Sequence, residues 1–136
     1  MRLLCDAAES GDVAAARKVI ASGSFDLGAR DEDDGFGWTA LHYAAASGSV
    51  QIIELLLAEK VSPDVRDRSG RTALHAAAQV GGEKGIKSAK ALVGGGALVN
   101  LEDKAGWTPY QVARFRGKEM MCDVLVSLGA ETRSVM

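Results

Sequence analysis

The chain repeats itself along its length. A stretch that begins at Gly37, GWTALHYAA, returns 33 residues later at Gly70 as GRTALHAAA, and a weaker version, GWTPYQVA, begins at Gly106. Self-similarity at a fixed period of about 20 to 50 residues is typical of stacked arrays, in which each small unit buries its apolar face against its neighbours. The sequence therefore predicts an array of repeats and not one ordinary globular core.

Each unit has the pattern of two helices followed by a turn. Thr39 precedes a run of small residues that ends at Ser47 and Gly48, and a threonine before a helix with a glycine after it is typical of helix boundaries. Residues 50–57 place apolar side chains at helical spacing, which predicts a second, more apolar helix. Residues 60–70 are polar and rich in turn formers, which predicts a hairpin that leads to the next unit.

The 33-residue period and the motif Gly-x-Thr-Ala/Pro-Leu-His resemble the ankyrin repeat, and the resemblance covers nearly the whole chain. It implies an all-α repeat solenoid of stacked helix-turn-helix units joined by β-hairpin loops. We expect one ankyrin repeat domain over residues 1–136, with a partial N-terminal cap at about 1–33, repeats at 34–66 and 67–102, and a C-terminal cap at 103–136. The first copy lacks its hairpin half, so the chain either starts natively inside a repeat or is cut from something longer.

The third copy contains three extra residues, because Gly70 and Gly106 are 36 residues apart. The insertion falls in the glycine-rich segment 81–85, between the two helices of that repeat. We expect it to lengthen either the turn or the start of the outer helix.

Composition and charge argue against nucleic acids and membranes as binding partners. The net charge of −2 and the isoelectric point of about 5.7 lack the basic character of nucleic-acid-binding proteins. No apolar stretch approaches the roughly 20 residues that span a bilayer, and no basic amphipathic helix indicates membrane binding. The expected partner is another protein or a peptide segment, and the chain is expected to be a monomer on its own or one domain of a larger protein.

The two cysteines, Cys5 and Cys122, belong to opposite end repeats. Because packed helices of successive repeats lie about 10 Å apart, we expect the two Cα atoms to be farther apart than the roughly 7 Å that a disulfide tolerates. Two cysteines without a disulfide fit a reducing compartment. We therefore expect a cytoplasmic or nuclear protein, or one in an organelle after transit-peptide removal. No Cys/His pair has metal-ligand spacing, so no metal site is expected.

The two histidines, His42 and His75, each follow a threonine by three residues. This spacing lets each imidazole bond the threonine and nearby backbone, and the resemblance implies the same framework role. No nucleophile motif or carboxylate pair accompanies them. The sequence therefore predicts no catalytic residue, no cofactor and no enzymatic activity.

The resemblance implies that partners bind a concave groove formed by the hairpin tips and the inner helices. The position between Gly and Thr reads Trp38, Arg71 and Trp107 in successive repeats. We expect a ladder in which the arginine stacks between two tryptophans, residue types that are enriched in binding hot spots. In the alternative, the rings fold over their own hairpins and shield apolar surface. The other predicted partner-binding positions are Phe36, Tyr43, Ser47, Arg68, Gln79, Lys104, Phe115 and Arg116.

An acidic run, Asp31, Glu32, Asp33 and Asp34, lies in the first hairpin. It is interpreted either as a solvated loop or as an acidic finger that contacts a basic partner. Residues 1–34 contain eight acidic and four basic residues, whereas the remainder contains ten acidic and twelve basic residues. The groove is therefore predicted to be acidic toward its N-terminal end and basic toward its C-terminal end, which would orient a charged partner.

These observations predict a protein–protein interaction scaffold. The alternative is a reader of a modified basic peptide, in which Phe36, Trp38 and Tyr43 form an aromatic cage for methyl-lysine with the nearby acids. Arg71 weighs against the cage because it would lie beside the bound cation.

Overall fold

The structure is a computed structural model that describes residues 2–23, 26–31 and 35–132. Within these ranges the chain forms eight α-helices in four consecutive pairs and no strand. The helices are α1 (Arg2–Ser10), α2 (Val13–Ser22), α3 (Ala40–Ser47), α4 (Val50–Ala58), α5 (Ala73–Val80), α6 (Gly82–Gly94), α7 (Pro109–Phe115) and α8 (Glu119–Ser127).

The helices form two layers. The first helix of each pair packs on the first helix of the next, so α1, α3, α5 and α7 form the inner layer. The second helices, α2, α4, α6 and α8, form the outer layer in the same order. This arrangement confirms the predicted all-α repeat solenoid.

Local sequence accounts for the helix boundaries. Thr72 precedes α5 in an extended conformation, and its hydroxyl accepts a hydrogen bond from the His75 amide. Thr108 caps α7 in the same way, with Pro109 at the first helical position, where a missing amide proton costs nothing. Gly48 ends α3 in the left-handed conformation (φ 76°), which glycine adopts without strain.

The core lies between the two layers. The inner helices contribute leucine and alanine, and the fully buried alanines let neighbouring helices approach closely. The outer helices contribute larger side chains that fill the space between repeats. The largest fully buried apolar side chains are Leu41, Ile52, Ile53, Leu56, Leu74, Leu92, Met121 and Leu125.

The insertion in the third repeat lengthens the outer helix and not the turn. Helix α6 has 13 residues, whereas α4 has nine. Gly85 lies in this helix where it crosses α5, and a Cβ atom there would overlap the carbonyl oxygen of Ala77. Ser88 is fully buried and donates its hydroxyl proton to the carbonyl oxygen of Ala45 (2.7 Å), which ties α6 to the preceding repeat.

The hairpin loops between repeats carry little regular β structure. One backbone bond closes each loop at its base: the amides of Asp31, Asp67 and Asp103 donate to the carbonyls of Trp38, Arg71 and Trp107 (2.7, 2.8 and 2.8 Å). In the described part of the chain, the single isolated bridge pairs Arg30 with Thr39.

Backbone hydrogen bonds also join the tips of neighbouring hairpins. The Arg68 amide donates to the Phe36 carbonyl, and the Lys104 amide donates to the Ser69 carbonyl, both at 2.9 Å. The tips therefore form a continuous row along one edge of the stack.

The two cysteines lie at opposite ends of the stack and are not joined by a disulfide. Cys5 is buried in α1, whereas Cys122 is only half-buried in α8, at the margin of a core that Met121 and Leu125 fill. Burial raises the pKa of the Cys122 thiol. In the ranges that the structure describes, no helix is long and apolar enough to cross a membrane.

Candidate functional site

A groove of about 860 Å³ lies between the hairpin tips and the inner helices of the second to fourth repeats. A second depression of about 170 Å³ continues it toward the last repeat, and the two share Arg71, Asp103 and Ala105. Nine of the predicted partner-binding residues line these two cavities. They are Phe36, Trp38, Arg68, Arg71, Gln79 and Lys104 in the first, and Arg71, Trp107, Phe115 and Arg116 in the second.

Two buried aspartates, Asp67 and Asp103, help to form the groove and were not predicted. One carboxylate oxygen of Asp67 accepts hydrogen bonds from the amides of Ser69 and Arg71 (2.8 and 2.9 Å). The corresponding oxygen of Asp103 accepts from the amides of Ala105 and Trp107, both at 2.9 Å. An aspartate four residues before the variable Gly-x-Thr position is the sequence signal that could have identified them.

The second oxygen of each aspartate receives a side chain from the preceding repeat. The Trp38 indole Nε1–H donates to Asp67 Oδ2 (3.0 Å). The Arg71 guanidinium Nε–H donates to Asp103 Oδ2 (3.1 Å), and another of its nitrogens donates to Gln79 Oε1 (2.9 Å). The predicted stacking of Arg71 between two tryptophans is therefore wrong, because a charge-assisted bond to a buried carboxylate holds the guanidinium instead.

The environment of Asp103 favours its ionised form. Burial by itself raises the pKa of this carboxyl group, but hydrogen bonds from Trp107, Arg71 and Ala105 outweigh burial and lower the pKa below its ordinary value. Asp103 therefore remains charged near neutral pH and keeps the Arg71 side chain in place across the groove.

The ring of Trp38 packs against its own repeat. It stacks on His42 (centroids 5.7 Å apart, planes at 22°) and meets the edge of Tyr43 at 5.2 Å. Phe36, whose ring centroid lies 6.5 Å from that of Trp38, is 63% exposed. The aromatic side chain that the groove presents to solvent at this end is thus Phe36.

Two predicted binding residues, Tyr43 and Ser47, do not line the groove. The Tyr43 hydroxyl donates to Asp31 Oδ2 (2.9 Å), and the Ser47 hydroxyl donates to the Ala8 carbonyl (2.8 Å) in α1. Both are half-buried and link their helix to neighbouring structure. Alignment of repeats misplaced them because it ignores which side of an inner helix faces the preceding repeat.

The structure also corrects the position of Asp31. Its side chain is buried and accepts the Tyr43 hydroxyl proton, so Asp31 occupies the place that Asp67 and Asp103 have in later hairpins and does not project from the loop. The rest of the predicted acidic finger, residues 32–34, lies outside the described residues.

The histidines join neighbouring repeats. His75 Nδ1 accepts the Thr72 amide proton (3.0 Å), and its Nε2 faces the Trp107 carbonyl oxygen (2.7 Å), so Nε2 carries the proton. His42 has the same contacts with Thr39 and with the Arg71 carbonyl. Burial lowers the pKa of His75, against the opposing effect of the Trp107 carbonyl.

Basic side chains lie exposed at the edge of the groove, whereas its described carboxylates are buried. The carboxylates of Asp67 and Asp103 are buried and each accepts three hydrogen bonds, whereas Arg68, Lys104 and Arg116 are exposed at its edge. In the described ranges, no cluster of three or more His, Cys, Asp or Glu residues could hold a metal ion.

Comparison with known proteins agrees with this architecture. The family model for ankyrin repeats matches residues 4–103 with three copies. The chain is 33% identical over 111 residues to a putative ankyrin repeat protein of Rickettsia bellii, an alignment that covers 77% of this chain and 30% of that protein.

Two further relatives are regulatory subunits. The chain is 30% identical over 101 residues to a probable 26S proteasome regulatory subunit p28 of Saccharomyces cerevisiae, covering 73% of this chain and 43% of the relative. It is 37% identical over 81 residues to protein phosphatase 1 regulatory subunit 27 of Mus musculus, covering 60% and 51%. The chain thus spans about half or less of each relative. The matched repeats, the stacked helix pairs and the hairpin row together show that this chain belongs to the ankyrin repeat family.

Proposed function

We propose that this chain is a protein-interaction module whose groove binds a segment of a partner protein. The observation that carries this proposal is the groove of about 860 Å³, which an exposed Phe36 and the basic side chains of Arg68 and Lys104 border. Exposed aromatic and arginine side chains beside a concave surface are typical of binding hot spots. The regulatory subunits among the relatives support an interaction role.

Hydrogen bonds within the chain hold the framework around the groove together without a partner. The hairpin tips are joined by backbone hydrogen bonds, and Trp38 and Arg71 connect successive repeats through Asp67 and Asp103. A preorganised surface loses little conformational entropy on binding, so more of the contact energy contributes to affinity. The groove volume of about 860 Å³ leaves room for several side chains of a peptide.

The test compares a groove variant with a matched variant on the outer helices. The groove variant is Phe36→Ala with Lys104→Glu, and the control is Met120→Ala with Lys90→Glu. Phe36 and Met120 are 63% and 73% exposed, and both lysines are exposed, so neither variant should unfold the protein. Each protein is used as bait in its native extract, and the captured proteins are compared.

We expect a partner that the wild-type chain and the control capture but that the groove variant loses. Equal capture by all three proteins would place the interaction outside the groove. Alanine substitutions of Trp38 and Arg71 are unsuitable here, because their bonds to Asp67 and Asp103 hold the repeats together.

A second candidate, recognition of methyl-lysine, is favoured by one observation. The rings of Phe36, Trp38 and Tyr43 are neighbours, with centroid distances of 6.5 and 5.2 Å along the series. Against this candidate, one face of Trp38 stacks on His42 and the Tyr43 hydroxyl binds Asp31. A trimethyl-lysine peptide that binds more tightly than its unmodified form, and loses that preference in Phe36→Ala, would favour it.

A further inference from the structure

The variable hairpin position has the same bonding role in two successive repeats. Trp38 donates its indole N–H to Asp67 in the next hairpin (3.0 Å), and Arg71 donates to Asp103 in the hairpin after it (3.1 Å). The third residue at this position is Trp107. Among the residues that the structure describes, no carboxylate accepts its indole proton.

The surroundings of Trp107 favour an anion. The indole lines the depression of about 170 Å³ together with the exposed side chains of Phe115 and Arg116. The Phe115 ring meets Trp107 edge to face at 5.2 Å and is 74% exposed. Of the carboxylates in the described part of the chain, Asp103 lines this depression, and it already accepts hydrogen bonds from two amides and Arg71.

We propose that this end of the groove binds a carboxylate from an acidic linear segment of the partner protein. The partner's aspartate or glutamate accepts the indole proton of Trp107, Arg116 supplies the opposite charge, and Phe115 contacts adjacent apolar atoms. The partner carboxylate thereby takes the place that Asp67 and Asp103 take for Trp38 and Arg71. This inference rests on the proposed function and specifies the chemistry of the partner.

The dimensions of the array indicate the length of the segment. Trp107 lies two repeats along the stack from Phe36, and packed helices are about 8–10 Å apart. An extended chain rises about 3.3 Å per residue, so roughly five or six residues connect the two ends. The fitting segment has an acidic residue at the Trp107 end and an apolar residue near Phe36, and it passes the cations Arg68 and Lys104 on the way.

The experiment begins with a random library of 12-residue peptides displayed on phage and selected on the wild-type protein. Selected peptides are synthesised with a fluorescent label, and their dissociation constants are measured by fluorescence anisotropy. We expect Asp or Glu to be enriched at one position. Changing that residue to its amide should weaken binding about tenfold, as the loss of a hydrogen bond to a charged group does.

The protein variant is Trp107→Phe, which removes the indole donor but keeps an aromatic ring. It should weaken the acidic peptide about tenfold, and in this variant the change from acid to amide should have little further effect, because both changes remove the same bond. A Trp107→Phe protein that had unfolded would bind neither peptide, whereas loss of this bond alone leaves measurable binding that is about tenfold weaker.

Arg116→Gln tests the counter-charge, with Lys90→Gln on the outer helix α6 as the control for loss of one positive charge. We expect Arg116→Gln to weaken the acidic peptide severalfold at low salt and less at high salt, because salt screens an exposed charge. Lys90→Gln should leave the dissociation constant unchanged.

Selected peptides without an essential acid, or with affinities that Trp107→Phe leaves unchanged, overturn the inference. If Phe36→Ala and Lys104→Glu still weaken those peptides, the proposed function stands. Selected peptides whose dissociation constants are unchanged by every groove substitution overturn both proposals. If Trp107→Phe instead changes the sedimentation of the protein alone, a second copy of the chain occupies this end, and the inference is wrong.

Discussion

His75 connects two repeats in its neutral form, and this makes the stability of the stack sensitive to acid. Its side chain is fully buried, with Nδ1 accepting from the Thr72 amide (3.0 Å) and Nε2 donating to the Trp107 carbonyl (2.7 Å). A proton on Nδ1 would remove that acceptor and place two N–H groups against each other. Burial lowers the pKa of His75 from its ordinary 6.5.

The sign of the effect follows from proton binding in the two states. Between the folded pKa of His75 and 6.5, the unfolded chain binds a proton that the folded chain does not. His75 therefore makes its full contribution to the free energy of unfolding above pH 6.5. This contribution falls as the pH decreases, by about 1.4 kcal/mol per pH unit, until the folded pKa of His75 is reached.

The substitution His75→Gln isolates this contribution, because glutamine already occupies the equivalent position in the last repeat. At the equivalent position of the last repeat, Gln111 Oε1 accepts the Thr108 amide proton (2.9 Å). The variant should keep this cap but lose the bond to the Trp107 carbonyl, which lowers the free energy of unfolding near pH 7.5 by about 1–3 kcal/mol. It should also lose the titration of this site, so the difference from wild type should shrink as the pH falls below 6.5.

The assay is urea unfolding followed by circular dichroism at several pH values between about 5.5 and 7.5, for both proteins. All other titratable groups are common to both, so their contribution cancels in the difference. Parallel pH profiles would refute the argument, because they would show that His75 binds its proton equally well in the folded and unfolded states.

Three further substitutions test the packing. Leu74→Ala, at a fully buried site in the middle of the stack, should lower the free energy of unfolding by about 2–5 kcal/mol in urea; a cost near zero would remove Leu74 from the core. Gly85→Ala should lower the melting temperature, since its Cβ would overlap the Ala77 carbonyl and overpacking costs about 1–3 kcal/mol; an unchanged melting temperature would show that α6 shifts freely. Trp38→Phe removes the donor to the buried Asp67 and should cost about 1–3 kcal/mol in urea; no loss would mean that this bond does not stabilise the repeat interface.

The fold could be predicted from the sequence because its signals are local and repeated. Thr39 and Thr72 before the helices and Gly48 after α3 determine helix ends through contacts within a few residues, and the 33-residue period predicts stacking. Nine predicted residues line the two cavities for the same reason, since equal positions in stacked repeats lie on one surface.

Only the tertiary structure determined which hydrogen-bond acceptors those side chains bind. Trp38 reaches Asp67 across 29 residues and Arg71 reaches Asp103 across 32, so the ladder of stacked rings expected from sequence became a series of bonds to buried carboxylates. Asp31 was likewise predicted to project in the acidic finger, but its side chain is buried.

The insertion in the third repeat also shows what sequence and structure each determine. The sequence located three extra residues near Gly82 but left open whether they extend the turn or the helix, and the structure adds them to α6. The period of a sequence determines which residues are equivalent, because each unit forms from its own local contacts. The distance and orientation between side chains of successive units depend on how closely the helices pack, and only the assembled stack determines them.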